Sequence, residues 1–260
     1  CYVGSGYTVP PAHLAEYPSL RAEVATPAFQ PRLLEALNGL LRGRGQPGLE
    51  ALPRLLDTEL RGVFTLPQTD PYGRLRREPL LGPYNAVTPC LPPSEDPVLF
   101  IYARGRGEQI NRLADAAART GRPVEAFLGP YPSAAGELLR GLGARVHARL
   151  PDLEAALARA GVVVTNGGAG VTQAALVAGR PQVILPIHAE SEITGWLVSG
   201  LDVGLAVLPK DIDEVPETLR IVSEVQSFTR NAQALAERIA GLGRPADPVA
   251  ALAERILATL

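Results

Sequence analysis

The chain has 260 residues, of which 46% are hydrophobic and 20% charged, a balance that fits one large or two modest globular domains. Its 25 basic and 27 acidic residues leave a formal charge of -2, so we expect no nucleic-acid partner. No apolar run approaches the roughly 20 residues of a transmembrane helix and no secretory signal opens the chain, which predicts a cytoplasmic location. Cys1 and Cys90 form no metal-ligand pattern, and we expect no metal site.

The pattern of the first 90 residues predicts short helices and strands at irregular spacing. They are an amphipathic helix over residues 29–42, a shorter helix over 49–56, and strands over 61–66 and 79–82. Five prolines between Pro83 and Pro97 then indicate a linker, because proline interrupts both helices and sheets. We therefore expect one domain over residues 1–93 and a second over residues 94–260.

The sequence of the second domain predicts a regular alternation of strands and helices. The strands lie at residues 97–103, 124–128, 144–148, 162–165, 182–185 and 204–208, and the helices between them at 108–119, 133–142, 152–160, 170–178 and 191–199. This order is typical of an α/β fold with a doubly wound, parallel, Rossmann-type sheet. Ligands bind such sheets at the carboxyl ends of the strands.

The strongest local signal is the glycine-rich turn between the predicted strand at residues 162–165 and the following helix. Glycines allow a ligand to approach the backbone, and the start of a helix offers unpaired N–H groups, so the turn predicts a diphosphate site. Its members are Asn166, Gly167, Gly168, Gly170 and Thr172. The alternative is a tight turn without a ligand. No Gly-Lys-Ser/Thr follows, which excludes a P-loop, and Gln173 replaces the third glycine of a dinucleotide fingerprint.

Two other strand ends carry polar residues. Arg104 and Gly105 form a secondary candidate phosphate loop, although arginines on loops are often only solvated. His188, Glu190 and Ser191 can hydrogen-bond sugar hydroxyls, or Ser191 and Glu192 can simply open a helix.

Three motifs resemble those of a known family in their order and spacing. They are Asn166-Gly-Gly-Ala-Gly170, Ala178-Gly-Arg-Pro181 and Pro186-Ile-His-Ala-Glu-Ser191. The chain resembles GT-B glycosyltransferases of the UDP-glycosyltransferase and bacterial natural-product group, with residues 94–260 similar to their nucleotide-sugar-binding domain and residues 1–93 to a partial α/β acceptor domain. The resemblance implies transfer from a UDP- or dTDP-sugar to a hydroxylated small molecule or lipid. It implies no metal, because backbone dipoles and side-chain donors carry the leaving diphosphate in this fold, and no cofactor, because the nucleotide sugar is itself a substrate.

The chain also departs from the pattern of this family. Nothing corresponds to the segment that carries the catalytic base, so the resemblance implies a missing N-terminal half or a partner chain, assigns no catalytic residue, and predicts that this chain alone is inactive. Asn166 replaces a diphosphate-binding histidine, Val171 a hydroxyl residue and Ala174 a ribose-binding glutamate, while Glu190 and Ser191 replace an Asp-Gln pair at the donor sugar. A non-catalytic module that binds a nucleotide sugar or a partner protein remains the alternative.

Overall fold

The computed structural model describes residues 1–20, 28–92, 94–104, 108–129, 133–242 and 247–259. The strands are β1 (Tyr2–Ser5), β2 (Arg61–Phe64), β3 (Val98–Tyr102), β4 (Val124–Phe127), β5 (Arg145–Val146), β6 (Ala160–Thr165), β7 (Gln182–Ile184) and β8 (Gly204–Ala206). The helices are α1 (Gln30–Gly43), α2 (Glu108–Arg119), α3 (Ala134–Gly141), α4 (Leu153–Arg159), α5 (Ala169–Ala178), α6 (Ala189–Gly200), α7 (Val215–Glu224), α8 (Gln226–Ala240) and α9 (Pro248–Leu257). Within the described ranges, no helix combines the length and apolar character needed to cross a membrane.

The chain divides into two compact units. The first contains Cys1–Gly82 together with Asp247–Leu260, and the second contains Pro83–Ala246. Residues 83–92, which we expected to close the first domain, therefore pack with the second unit. The last helix, α9, belongs to the first unit although it follows the second one in the chain.

The first unit contains the parallel pair β1–β2 and an apolar cluster of Phe64, Leu81 and Leu252. Nearby, Arg76 forms a buried, bidentate ion pair with Asp70, at distances of 2.6 and 3.0 Å. The strand expected over residues 79–82 is wrong, because these residues form only one isolated bridge to β2. Most of the expected helix over residues 49–56 is a short 3-10 helix at Leu52–Leu56.

The second unit confirms the predicted doubly wound fold. Its six strands are all parallel, in the order β5-β4-β3-β6-β7-β8. Apolar clusters cover both faces of this sheet, one built around Leu99 and Ile101 and the other around Phe100 and Val163. Because β3 and β6 are neighbours from which the chain winds in opposite directions, a switch point lies between their carboxyl ends.

Several predicted helix boundaries are also confirmed. The side chains of Ser133 and Asp152 accept hydrogen bonds from backbone N–H groups at the starts of α3 and α4. Gly179 ends α5 with a φ of 74°, a left-handed conformation that glycine adopts without a steric penalty. These local signals fix where the helices begin and end relative to the sheet.

A buried ion cluster joins β4, the residue after β5 and the end of α4. Arg159 donates two hydrogen bonds to the Glu125 carboxylate, at 2.7 and 3.0 Å, and Nε2 of His147 lies 2.6 Å from Glu125 Oε1. Burial raises the pKa of Glu125, but the hydrogen bonds from Arg159 and His147 outweigh burial, so its pKa is lowered. His147 therefore has a structural partner, as its predicted place in a strand suggested.

Candidate functional site

The switch point between β3 and β6 brings two loops together at one edge of the sheet. Tyr102, the last residue of β3, pairs with Thr165, the last residue of β6. The loop from Ala103 and the loop from Asn166 therefore begin side by side. Parallel sheets of this topology bind their ligands in the crevice outside such strand ends.

The turn from β6 into α5 depends on Gly167. This residue has a φ of 77°, and a Cβ atom there would lie 2.9 Å from the Ser191 carbonyl oxygen. Its N–H group donates to the Thr165 hydroxyl at 2.9 Å. Gly167 thus allows a sharp turn that packs closely against the start of α6, and it does not line the neighbouring cavity.

The start of α5 is left available to a ligand. Gly168 is the N-cap residue, and no side chain caps this end of the helix. The first intrahelical hydrogen bond runs from the Thr172 N–H to the Gly168 carbonyl, at 3.1 Å. The N–H groups of the preceding first turn have no intrahelical acceptor, so this end presents donors and a positive dipole end to an anion.

The neighbouring helix α6 satisfies its own first turn. The Ser191 hydroxyl accepts from the N–H groups of Ile187 and His188, both at 3.0 Å, and donates to the His188 carbonyl at 2.7 Å. Nδ1 of His188 in turn accepts from the Ser191 N–H at 3.3 Å. Ser191 is fully buried in this capping box, so its expected contact with a sugar does not fit the structure.

A cavity of 590 Å³ opens at these strand ends. Its polar lining includes the α5 turn, Asn166, Arg104 and His188. Its apolar lining consists of Tyr84, Tyr102, Leu150, Leu153, Val171 and Ile187. A cavity of this size, apolar on one part and polar around a helix start, is suited to a nucleotide-sized ligand.

The side chain of Asn166 is committed to the backbone. Its amide oxygen accepts a hydrogen bond from the Arg104 N–H, and its amide nitrogen donates to the Leu185 carbonyl at 2.9 Å. Because an N–H needs an acceptor and a carbonyl needs a donor, these partners fix the orientation of the amide. Asn166 thus ties together the loops that follow β3, β6 and β7, a role that sequence reasoning missed when it assigned this residue to the diphosphate.

Comparison with known proteins identifies relatives of this region. Residues 132–255 match the family described as erythromycin biosynthesis protein CIII-like, C-terminal domain. The elloramycin glycosyltransferase ElmGT of Streptomyces olivaceus is 34% identical over 124 residues, which cover 46% of this chain and 31% of ElmGT. These residues, which make up less than half of this chain, are therefore similar to the C-terminal domain of that family and to part of ElmGT.

Solved glycosyltransferase structures share the fold over most of this chain. The calicheamicin glycosyltransferase CalG4 has a TM-score of 0.61 at 23% identity, over 85% of this chain and 59% of CalG4. The glycosyltransferase VinC, solved in complex with dTDP, has a TM-score of 0.60 at 19% identity, over 85% of this chain and 57% of VinC. The chain thus spans less than two thirds of each of these glycosyltransferases.

Arg104 brings a cation to the cavity. Its backbone is held by Asn166, while its exposed side chain lines the cavity and forms no ion pair with any residue in the described part of the chain. Gly105, expected to share its phosphate loop, lies outside the described residues. Arg104 can therefore offer a guanidinium to a bound anion without first breaking an internal contact.

Two further residues expected at the site lie away from the cavity. Thr172 is fully buried and its hydroxyl oxygen lies 3.5 Å from that of Thr165, so it does not line the cavity. Glu190 is half-buried in the first turn of α6 and is likewise not among the lining residues. Of the predicted glycines, Gly168 and Gly170 line the cavity.

Sequence reasoning missed the lining residues that come from outside the motifs. Tyr84 and Asn85 belong to the proline-rich segment that we interpreted as a linker, and Leu150 precedes α4. No periodic pattern marks these positions. The one available signal was their place after predicted elements, since Leu150 follows the strand predicted at residues 144–148.

Proposed function

We propose that the cavity binds the nucleotide diphosphate of a UDP- or dTDP-sugar, as the donor site of a glycosyltransferase. The observation that carries this proposal is the uncapped start of α5, delivered into the cavity by the glycine-rich turn after β6. Backbone N–H groups at a helix start are a common anion site. The dTDP bound by VinC supports the same class of ligand here.

The two kinds of lining suit the two ends of such a donor. The N–H groups of the first turn of α5 and the Arg104 guanidinium would hold the diphosphate. The aromatic and aliphatic side chains of Tyr84, Leu150 and Leu153 would receive the base and ribose by apolar contact. His188, which also lines the cavity, would then lie near the donor sugar.

For the whole protein we propose transfer of the sugar to a hydroxyl group of a small molecule or lipid. The acceptor oxygen attacks the anomeric carbon, the bond from that carbon to the diphosphate oxygen breaks, and a base takes the hydroxyl proton. The donor-site residues would stabilise the charge that develops on the leaving diphosphate. Because Arg104 and the α5 N–H groups supply that positive potential, we propose that transfer needs no metal ion.

The second candidate is a module that binds a nucleotide sugar without transferring it. The commitment of the Asn166 amide to two backbone groups favours this candidate, since the side chain that replaces the family's histidine brings no charge to the site. Slow hydrolysis of a radiolabelled donor by the whole protein, with the segment that carries the catalytic base, separates the two functions. A transferase releases free sugar, whereas a binding module leaves the donor intact.

Calorimetric titration with dTDP, UDP and GDP tests the donor site. We expect dTDP or UDP to bind with a Kd of about 10 to 100 µM, about -5.5 to -7 kcal/mol. GDP serves as the matched control for diphosphate binding without a pyrimidine. If a folded sample binds none of the three nucleotides, the proposed function is wrong.

A further inference from the structure

Residues 83–92 run along α5 in the same direction as the helix. Asn85 lies at Gly170, in the first turn of α5, and the Cys90 N–H donates to the carbonyl of Val177, near the last turn, at 3.0 Å. A 10-residue helix is about 15 Å long, so this segment follows nearly its whole length. We call residues 83–92 the strap.

Side chains fix the strap at its middle. Thr88 is held by Glu154, which accepts from the Thr88 N–H at 3.2 Å and from its hydroxyl at 2.7 Å. Val87 and Leu91 pack against the apolar cluster formed by α4, α5 and the sheet. The strap is therefore a packed part of the second unit, in contrast to the free linker that its prolines predicted.

Arg180 fixes the far end of the strap. Its guanidinium donates to the carbonyls of Leu91 at 3.0 Å and Pro92 at 2.7 Å, and also to that of Leu157 in α4 at 2.8 Å. Arg180 is 2% exposed and has no ion pair with a carboxylate in the described ranges, and burial lowers its pKa. Because a buried cation is costly when its donors are unsatisfied, the two strap carbonyls are held firmly in place.

The near end of the strap reaches the cavity. The side-chain nitrogen of Asn85 lies 3.0 Å from the position that a Cβ atom on Gly170 would occupy, and Asn85 lines the cavity. This amide makes no hydrogen bond to another residue that the structure describes. Its N–H donors are thus available beside the helix start that faces the cavity.

We infer that the strap is a fixed wall of the nucleotide site, in which Asn85 hydrogen-bonds the bound diphosphate and Arg180, at the other end of α5, positions Asn85. The inference rests on the proposed function, since it names a further ligand contact of the same site. Asn85 supplements the α5 N–H groups with a side-chain donor. The absence of a side chain at Gly170 leaves the space in which this amide lies.

Titration of single variants with dTDP and UDP tests the contact. We expect Asn85→Ala to weaken binding about threefold to tenfold, as for the loss of one neutral hydrogen bond, and Asn85→Asp to weaken it more than about tenfold by placing a carboxylate against phosphate. Ala86→Asp adds the same charge one residue away, at an exposed position that does not line the cavity, and should change the Kd less than about twofold.

A double-mutant cycle tests the positioning role of Arg180. In the Arg180→Lys background, which keeps the charge but loses the fork of three donors, we expect Asn85→Ala to have an effect of less than about twofold. A purely structural Arg180 would leave the effect of Asn85→Ala unchanged. If Arg180→Lys does not fold, Thr88→Val takes its place in the cycle, because it removes the hydrogen bond from the Thr88 hydroxyl to Glu154 at the middle of the strap.

The outcomes separate the inference from the proposed function. If the wild-type chain binds dTDP or UDP while Asn85→Ala and Asn85→Asp bind as tightly as Ala86→Asp, the strap contact is wrong and the donor site stands. If the wild-type chain binds neither nucleotide, both are wrong. An equal effect of Asn85→Ala in both backgrounds overturns only the role of Arg180.

Discussion

The amide oxygen of Asn166 accepts the backbone N–H of Arg104, while its amide nitrogen donates to the Leu185 carbonyl. Asn166→Asp keeps the first bond but sets a carboxylate oxygen against that carbonyl. We expect a loss of about 1 to 3 kcal/mol in the free energy of unfolding, together with weaker nucleotide binding. Denaturant unfolding and titration with dTDP measure the two effects.

Asn231→Asp is the matched control for this substitution. Asn231 also donates its side-chain amide to a backbone carbonyl, that of Asp202 at 3.0 Å, but it does not line the cavity. We expect dTDP binding to be unchanged in this variant. Unaltered stability of Asn166→Asp together with lost binding would show that Asn166 contacts the ligand and does not act as a tie between loops.

Adjacent glycines separate stability from binding. Gly167→Ala places a Cβ atom 2.9 Å from the Ser191 carbonyl at a φ of 77°, and should cost about 1 to 3 kcal/mol of unfolding free energy. A Cβ on Gly168 meets no atom within 4 Å, so Gly168→Ala should fold normally. Because Gly168 lines the cavity, we expect this variant to bind dTDP about tenfold more weakly, or ~1.4 kcal/mol.

Thermal unfolding measures the stability of the two glycine variants, and calorimetric titration measures their affinity for dTDP. Equal destabilisation of both variants would contradict it, since only Gly167 has a positive φ and close neighbours. Normal dTDP binding by Gly168→Ala would place the diphosphate away from the start of α5.

Arg104 should contribute charge to the site without contributing to stability. We expect Arg104→Gln to weaken dTDP binding about tenfold or more, because a charge-assisted hydrogen bond to phosphate is lost. The decrease in affinity with added salt should also become less steep. Arg119→Gln, an exposed change at the end of α2, is the control and should bind like the wild type. Equal affinity of both variants would remove Arg104 from the diphosphate site.

The Glu125 cluster predicts a loss of stability in acid. The pKa of Glu125 is lowered in the folded state, so its contribution is present above the unfolded carboxyl pKa of about 4.3 and is lost as the pH falls below it. Glu125→Gln should cost about 1 to 3 kcal/mol at pH 7 and should unfold with a shallower dependence on pH between about 5 and 3. Urea unfolding at several pH values measures both.

Glu137→Gln is the control for the acid experiment. Glu137 pairs with Arg140 on the surface of α3, where its side chain is 70% exposed, so its removal should change stability by less than about 1 kcal/mol. If Glu137→Gln and Glu125→Gln have the same pH dependence, the buried cluster does not determine acid stability.

Local signals in the sequence were sufficient to predict the fold of the second unit. The apolar strands and the caps at Ser133, Asp152 and Gly179 depend on neighbours within a few residues, and the structure confirms them. The start of α5 was predictable for the same reason. Side-chain orientations at the site were not, because Asn166 and Arg104 are 62 residues apart in the chain and meet only when β3 and β6 pair.

The packing of the strap could not be predicted either, because it also depends on contacts between residues that are far apart in the chain. Its prolines correctly exclude helix and strand, yet nothing within residues 83–92 indicates that Arg180 will donate hydrogen bonds to two of its carbonyls. Ser191 and Thr172 were expected at the site by their position in a motif. Their burial depends on the packing of α5 and α6, which a motif does not describe.

The place of α9 affects the order in which the protein is made. Leu252 completes the apolar cluster of Phe64 and Leu81 in the first unit, but it is synthesised after the whole of the second unit. Domains generally fold as units while the ribosome is still at work. We therefore expect the second unit to fold during translation, whereas the first unit can complete its core only after α9 has been synthesised.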